Sequence, residues 1–106
     1  MDAAEQQLLQ TCKERLGAHY GSRLKGVILY GSMARGTAGP ESDIDLLVSL
    51  GEPFDYFAEL ESLIDLLYDL QFDSNRYLSV RPVRSEDLDV GRIQLYRNVQ
   101  QEGIAV

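Results

Sequence analysis

Cysteine occurs once (Cys12), histidine once (His19) and tryptophan not at all in this chain of 106 residues. A lone cysteine cannot form an internal disulfide, and one Cys with one His cannot build a Cys-rich zinc site. Stability must then come from a packed core, which a single domain spanning 1–106 is large enough to hold. No run approaches the roughly 20 apolar residues needed to cross a bilayer. The opening MDAAEQQLLQ is acidic and has no apolar stretch, so we expect no signal peptide and a cytoplasmic location. Positive charge is scarce too: 10 Lys+Arg against 17 Asp+Glu leave a net charge of −7. Proteins that grip nucleic acid through its phosphates carry a basic face, so no direct nucleic-acid partner is expected. A metal-bound small anion or a basic protein surface suits this charge better. Arg76, Arg81, Arg84, Arg92 and Arg97 make the second half less acidic, and solvated surface is the simpler account of them.

What is present is a regular alternation of helix and strand patterns. Leu8, Leu9, Cys12 and Leu16 mark one face of a helix over 3–18, with Gly17 and Gly21 bracketing its end. Residues 25–30 (KGVILY) form a short apolar strand, and 31–40 (GSMARGTAGP) must turn sharply. Residues 43–49 (DIDLLVS) read as a second strand, closed by Gly51-Glu52-Pro53. The stripe Phe57, Leu60, Leu63, Ile64, Leu67 and Leu70 predicts a helix over 54–70, as core or as a partner face. Asp73-Ser74-Asn75 is a turn, and 76–83 is a third strand whose Pro82 suits an exposed edge or an end. Ser85, with Glu86 and Asp87 after it, fits an N-cap. A last helix, interrupted at Gly91, carries Leu88, Ile93, Tyr96 and Val99 towards Gly103. This order predicts an α/β (α+β) domain: a small mixed β-sheet flanked by helices that cover mainly one face.

Three features converge between Tyr30 and Leu46. Asp43 and Asp45 are two residues apart in a strand, so both carboxylates project from one face while Ile44 and Leu46 turn into the core. Two such acids repel each other unless a cation neutralises them, and Mg²⁺ is the natural ligand for hard oxygens. Gly31-Ser32 follows a buried strand and opens a helical turn, where backbone N–H groups and the Ser32 hydroxyl can cradle an anion. Arg35, one turn on, brings a fork of donors suited to phosphate oxygens. Taken singly, the acids would be solvated surface, Gly-Ser a plain turn and Arg35 a surface residue. Their conjunction in this order describes phosphoryl or nucleotidyl transfer. No histidine–aspartate pattern accompanies Ser22, Ser49 or Ser85, His19 suits a surface helix end, and Cys12 suits buried packing.

Gly31-Ser32-Met33-Ala34-Arg35-Gly36 followed by Ser42-Asp43-Ile44-Asp45-Leu46 resembles the polymerase-β-like nucleotidyltransferase superfamily, in its minimal nucleotidyltransferase (MNT) branch. The resemblance implies a nucleotidyltransferase core, with ATP as donor and Mg²⁺ as cofactor. It implies that Asp43 and Asp45 are catalytic metal ligands and that Gly31 and Ser32, with Arg35 more loosely, hold the nucleotide. It further implies an antitoxin that transfers AMP to a tyrosine of a HEPN-domain ribonuclease toxin. The family usually carries a third carboxylate on a later strand. Here 77–83 (YLSVRPV) has none; Ser79 or Arg81 takes that face according to register, with Asp73, Glu86 and Asp87 outside the strand. That departure leaves a second reading open, a degenerate module that silences its partner by binding alone. A small-molecule transferase is a third, against which the short chain argues.

Overall fold

Leu8, Leu9, Cys12, Leu16 and Tyr20 line the buried face of α1 (Ala3–Tyr20) in the computed structural model, which describes residues 1–106. A capping box starts the helix: Asp2 Oδ1 accepts from the Glu5 amide (2.8 Å) and Glu5 Oε1 accepts from the Asp2 amide (3.1 Å). It runs two residues past the expected 18 and stops at Gly21, whose φ of 57° is open to glycine. There follow β1 (Leu24–Tyr30), α2 (Ser32–Arg35), β2 (Ile44–Leu50), α3 (Tyr56–Leu67), β3 (Leu78–Arg84), α4 (Ser85–Asp89), α5 (Gln94–Glu102) and β4 (Ile104–Ala105).

The four strands form one sheet in the order β3-β2-β1-β4. β1 is antiparallel to both β2 and β4, whereas β2 and β3 run parallel, joined by the crossover that contains α3. The expected mixed sheet with flanking helices is therefore the fold. β4 was not foreseen, because two residues carry no alternating pattern. Ile104 pairs with Leu29 and Ala105 with Ile28. Gly103 permits the approach, since a Cβ there would come within 2.5 Å of both Ile28 Cγ2 and the Val99 carbonyl.

Strict alternation in β2 sets the core. Ile44, Leu46, Val48 and Leu50 join Leu16, Leu29, Leu63 and Leu67 in a cluster beneath α1 and α3. The opposite face, expected to be largely open, is partly closed by a smaller cluster of Leu47, Val83, Leu88 and Val99. Gly91 makes this possible: its φ of 64° splits the last helical segment into α4 and α5, which fold back over the sheet. Gln100 Nε2 donates to the Leu88 and Asp89 carbonyls (2.5 and 3.0 Å) and holds the two helices together.

Two other expectations are corrected. Ser85 is the first helical residue of α4 and not its cap; Arg84 precedes it with no side-chain capping bond. The helix predicted over 54–70 is α over Tyr56–Leu67, capped by Asp55 on the Ala58 amide (3.2 Å), then tightens to a 3₁₀ turn over Tyr68–Asp73. Leu63, Leu67 and Leu70 of its stripe are buried, but Phe57 and Ile64 stay 77% and 54% exposed. They belong to an outward apolar band with Tyr68, Phe72 and Tyr77. Beside it an open groove of about 720 Å³ runs between α3 and β3, lined in part by Tyr56, Leu60, Leu67, Val80 and Arg81. β3 is an edge strand, as Pro82 suggested, and the edge is blunted: Gln71 Oε1 takes the Leu78 amide (2.8 Å) and Pro82 has no N–H. No helix is long and apolar enough to cross a membrane.

Candidate active site

β1 and β2 pair so that Tyr30 lies directly across from Asp45. The next residue, Gly31, therefore arrives against the aspartate. Its φ is 75°, and a Cβ built there would overlap Asp45 Oδ2. Backbone conformation and close approach thus both require glycine at 31. Gly31 caps α2, its carbonyl accepting from the Ala34 and Arg35 amides at 3.1 Å each. Ser32 and Met33 stand in the first turn, where helix geometry leaves amides without intrahelical acceptors. The structure so brings Gly31, Ser32 and Asp45 together at one end of the β1–β2 pair.

Asp43 lies immediately ahead of β2 rather than inside it, and is exposed; Asp45 is half-buried. Ile44 and Leu46 are fully buried, so the alternation that anchors the strand also aims Asp45 away from the main core. Burial raises the Asp45 carboxyl above the usual range and the charge of Asp43 raises it further, while Arg81 and then Arg35 oppose the rise. Burial, followed by the Asp45 charge, likewise pushes up the Tyr30 hydroxyl. Two carboxylates in this environment carry a penalty that a hard cation relieves. With Gly31 cleared of any side chain beside Asp45, the residues present suit a divalent metal held by Asp43 and Asp45.

Arg35 closes α2 and reaches Glu102 of α5 at 3.5 Å, both side chains nearly half exposed. Such a contact restrains it weakly and leaves it free to exchange partners. No third acid completes the pair: nowhere do three or more His, Cys, Asp or Glu side chains cluster. Ser79 stands across from Asp45 and Arg81 across from Leu47, so both occupy the aspartate face. Asp87 is engaged by Arg92 (2.7 Å) and Arg84 (3.8 Å), and Asp73 closes the 3₁₀ turn after α3. His19 is exposed in the last turn of α1, and Cys12 is sealed in the core with its thiol pushed up to about 11 by burial.

Arg76 is the residue that sequence reasoning missed. Read as solvated surface, it is instead largely buried. Its Nε donates to Glu5 Oε2 (2.8 Å), and its Nη1 donates to the Gly39 and Ser42 carbonyls (2.7 and 2.9 Å). These bonds clamp the loop leading into Asp43 against α1. Nothing in the local pattern at 73–76 signals this, because every partner is distant in sequence.

An α/β sheet with two acids and a glycine turn at one strand end is an arrangement that metal-assisted transfer of a phosphate-bearing group can use. Comparison with known proteins narrows this. Residues 6–100 match the family described as Nucleotidyltransferase domain. The chain is 34% identical over 101 residues to Putative protein adenylyltransferase MJ0604 of Methanocaldococcus jannaschii, covering 93% of this chain and 94% of that one. Against Putative protein adenylyltransferase MJ1215 of the same organism it is 33% identical over 69 residues, 63% of this chain and 78% of the other. Two solved structures share the fold. One is a chain of the mutant toxin–antitoxin MntA-HpeT (TM-score 0.60, 20% identity, 91% of this chain and 69% of that one). The other is a putative nucleotidyltransferase from Sulfolobus solfataricus (TM-score 0.51, 19% identity, 99% and 86%). The chain belongs to the nucleotidyltransferase domain family, of the polymerase-β-like kind.

Proposed function

We propose that this chain is a Mg²⁺-dependent protein adenylyltransferase that moves AMP from ATP to a tyrosine of a cognate HEPN-domain toxin, and so serves as its cytoplasmic antitoxin. The observation that carries the reading is the match to MJ0604, which runs over nearly the full length of both chains. The fold shared with a chain of MntA-HpeT supports the choice of partner. So does the exposed band of Phe57, Ile64, Tyr68, Phe72 and Tyr77, since large outward apolar patches mark protein contacts. A net charge of −7 suits docking on a basic ribonuclease.

In this reading Asp43 and Asp45 hold the metal, while the amides after Gly31 and the Ser32 hydroxyl receive phosphate oxygens, with Arg35 at the rim. Bound Mg²⁺ supplies positive charge for the reacting phosphate and the departing pyrophosphate. The tyrosine oxygen bonds to the α-phosphorus, the bond to pyrophosphate breaks, and the phenolic proton passes to solvent. A phenol titrates near pH 10, so it demands less of a general base than an aliphatic alcohol. Gly31 keeps the Asp45 carboxylate at the start of the cradle, so that metal and phosphate sites share one edge.

One observation favours a second reading. With Ser79 and Arg81 where a third acid would stand, the chain could silence its partner by binding alone. Mass spectrometry of the purified toxin after incubation with ATP and Mg²⁺ separates the two. We expect one or more AMP masses on a tyrosine, and a loss of transfer of about a thousandfold in Asp43→Asn, equivalent to roughly 4 kcal/mol of charge stabilisation. An unmodified toxin, bound and inactive with both proteins, would establish the binding module instead.

A further inference from the structure

The arginines of this chain are almost all engaged. Arg15 binds Asp69, Arg23 binds Glu59, Arg76 binds Glu5, and Arg84 and Arg92 share Asp87. Arg35 touches Glu102, and Arg97 donates to the Gly91 carbonyl (2.8 Å). Arg81 alone has neither ion pair nor hydrogen bond, and it is exposed.

Its position is fixed by the sheet. In the parallel β2–β3 ladder Asp45 pairs with Ser79 and Leu47 with Arg81, so all four side chains share one face. Arg81 stands two residues along β3 from Ser79, the residue opposite Asp45, close enough for its charge to be felt at both Asp45 and Tyr30. It also borders the groove between α3 and β3, which Tyr56 lines from the start of α3. A long cation on the Asp45 face, with no ion pair or hydrogen bond of its own, is arranged for a ligand that brings negative charge. The two acids can neutralise one divalent ion. A triphosphate arriving with that ion still carries surplus negative charge, which a planar guanidinium can bond bidentately.

We propose that Arg81 is a donor-binding residue: its guanidinium holds the phosphate chain of the nucleoside triphosphate on the Asp45 face, and the site works with one divalent ion. The inference rests on the nucleotidyltransferase reading of Asp43 and Asp45. A fixed positive charge on β3 stands where a third carboxylate would call for a further metal.

Calorimetric titration with α,β-methylene ATP in Mg²⁺ tests the first half, using the wild-type chain, Arg81→Gln, Arg81→Lys and Asp43→Asn. Arg81→Gln should weaken binding about tenfold to a hundredfold, and Arg81→Lys should recover part of the loss by restoring charge without the fork. Because Arg81 is exposed and makes no ion pair or hydrogen bond, the Arg81 variants should fold, with melting temperatures within a few degrees of the wild type. Mn²⁺ titration by electron paramagnetic resonance in the presence of the analogue tests the second half, with one ion per chain expected. Arg81→Gln binding as tightly as wild type, or two ions per wild-type chain, overturns this proposal alone. A wild-type chain with no affinity for the nucleotide overturns the nucleotidyl-transfer site and this proposal with it.

Discussion

Ile44, Leu46, Val48 and Leu50 of β2 leave no surface to water, whereas Asp45 on the same strand is half-buried and Asp43 just ahead of it is exposed. One side of the strand is fastened under α1 and α3 by shape and apolar area alone. The other carries charge that Arg81 and Arg35 offset only in part. The difference shows how a short chain separates its two tasks: alternation lets a single strand anchor the core and present the site, with one residue of spacing between the two. Function can then be damaged without touching stability, and stability without altering the chemistry of the site.

Core substitution should give the largest stability effect. Leu46→Ala removes a fully buried side chain and should cost about 3 kcal/mol in denaturant unfolding, within the range measured for buried leucines. The fraction that remains folded should still bind Mg²⁺ and nucleotide as before. If affinity per folded molecule drops as well, the two faces are coupled and the separation described above fails.

A smaller effect, crossing both faces, is expected at Gly31. Gly31→Ala must hold a positive φ, worth about 1–2 kcal/mol, and must also displace the Asp45 carboxylate. Melting should fall by several degrees, and Mn²⁺ affinity should fall with it. Unchanged metal binding in a destabilised variant would separate the glycine turn from the acid pair.

The smallest effect sharpens the contrast by pH. Arg15 bonds Asp69 at 2.6 and 2.9 Å and holds its carboxyl below the usual range. That contribution is present above the unfolded value near 4 and is lost as pH falls through the lowered one. Asp45 runs the other way: its raised pKa penalises the folded state fully above that value, and the penalty vanishes below the unfolded one. In EDTA, Asp45→Asn should therefore raise the melting temperature at neutral pH, with the gain gone by about pH 3–4. A gain that persisted into acid would show that crowding, and not charge, sets the penalty.

Much of this could be read before any coordinates. β1, β2 and the Gly31–Asp45 span were legible because strands announce themselves by local alternation and because glycine and paired acids have narrow chemical meanings. The α1 face was legible for the same reason. What escaped depends on residues far apart. β4 exists only because β1 offers it an edge, and the clamp at Arg76 exists only because Glu5 and the 39–42 loop are delivered to it. Phe57 and Ile64 fit a helical stripe perfectly well, yet only the placement of α3 on the sheet decides that they face outward. Register likewise set Ser79 opposite Asp45 and Arg81 opposite Leu47, with both on the aspartate face.

The Arg76 clamp makes the loop before Asp43 answerable to distant parts of the chain. Glu5 serves the first turn of α1 with one oxygen and Arg76 with the other, and Arg76 in turn grips the carbonyls of Gly39 and Ser42. These partners lie 71, 37 and 34 positions away along the chain. Contacts of such separation carry a loop-closure cost and hold only when the surrounding elements are all in place. The segment that delivers Asp43 is thus tied at once to the N-terminal helix and to the residue that leads into the edge strand. A change at either would then loosen the loop in front of Asp43, however far from the acids it falls.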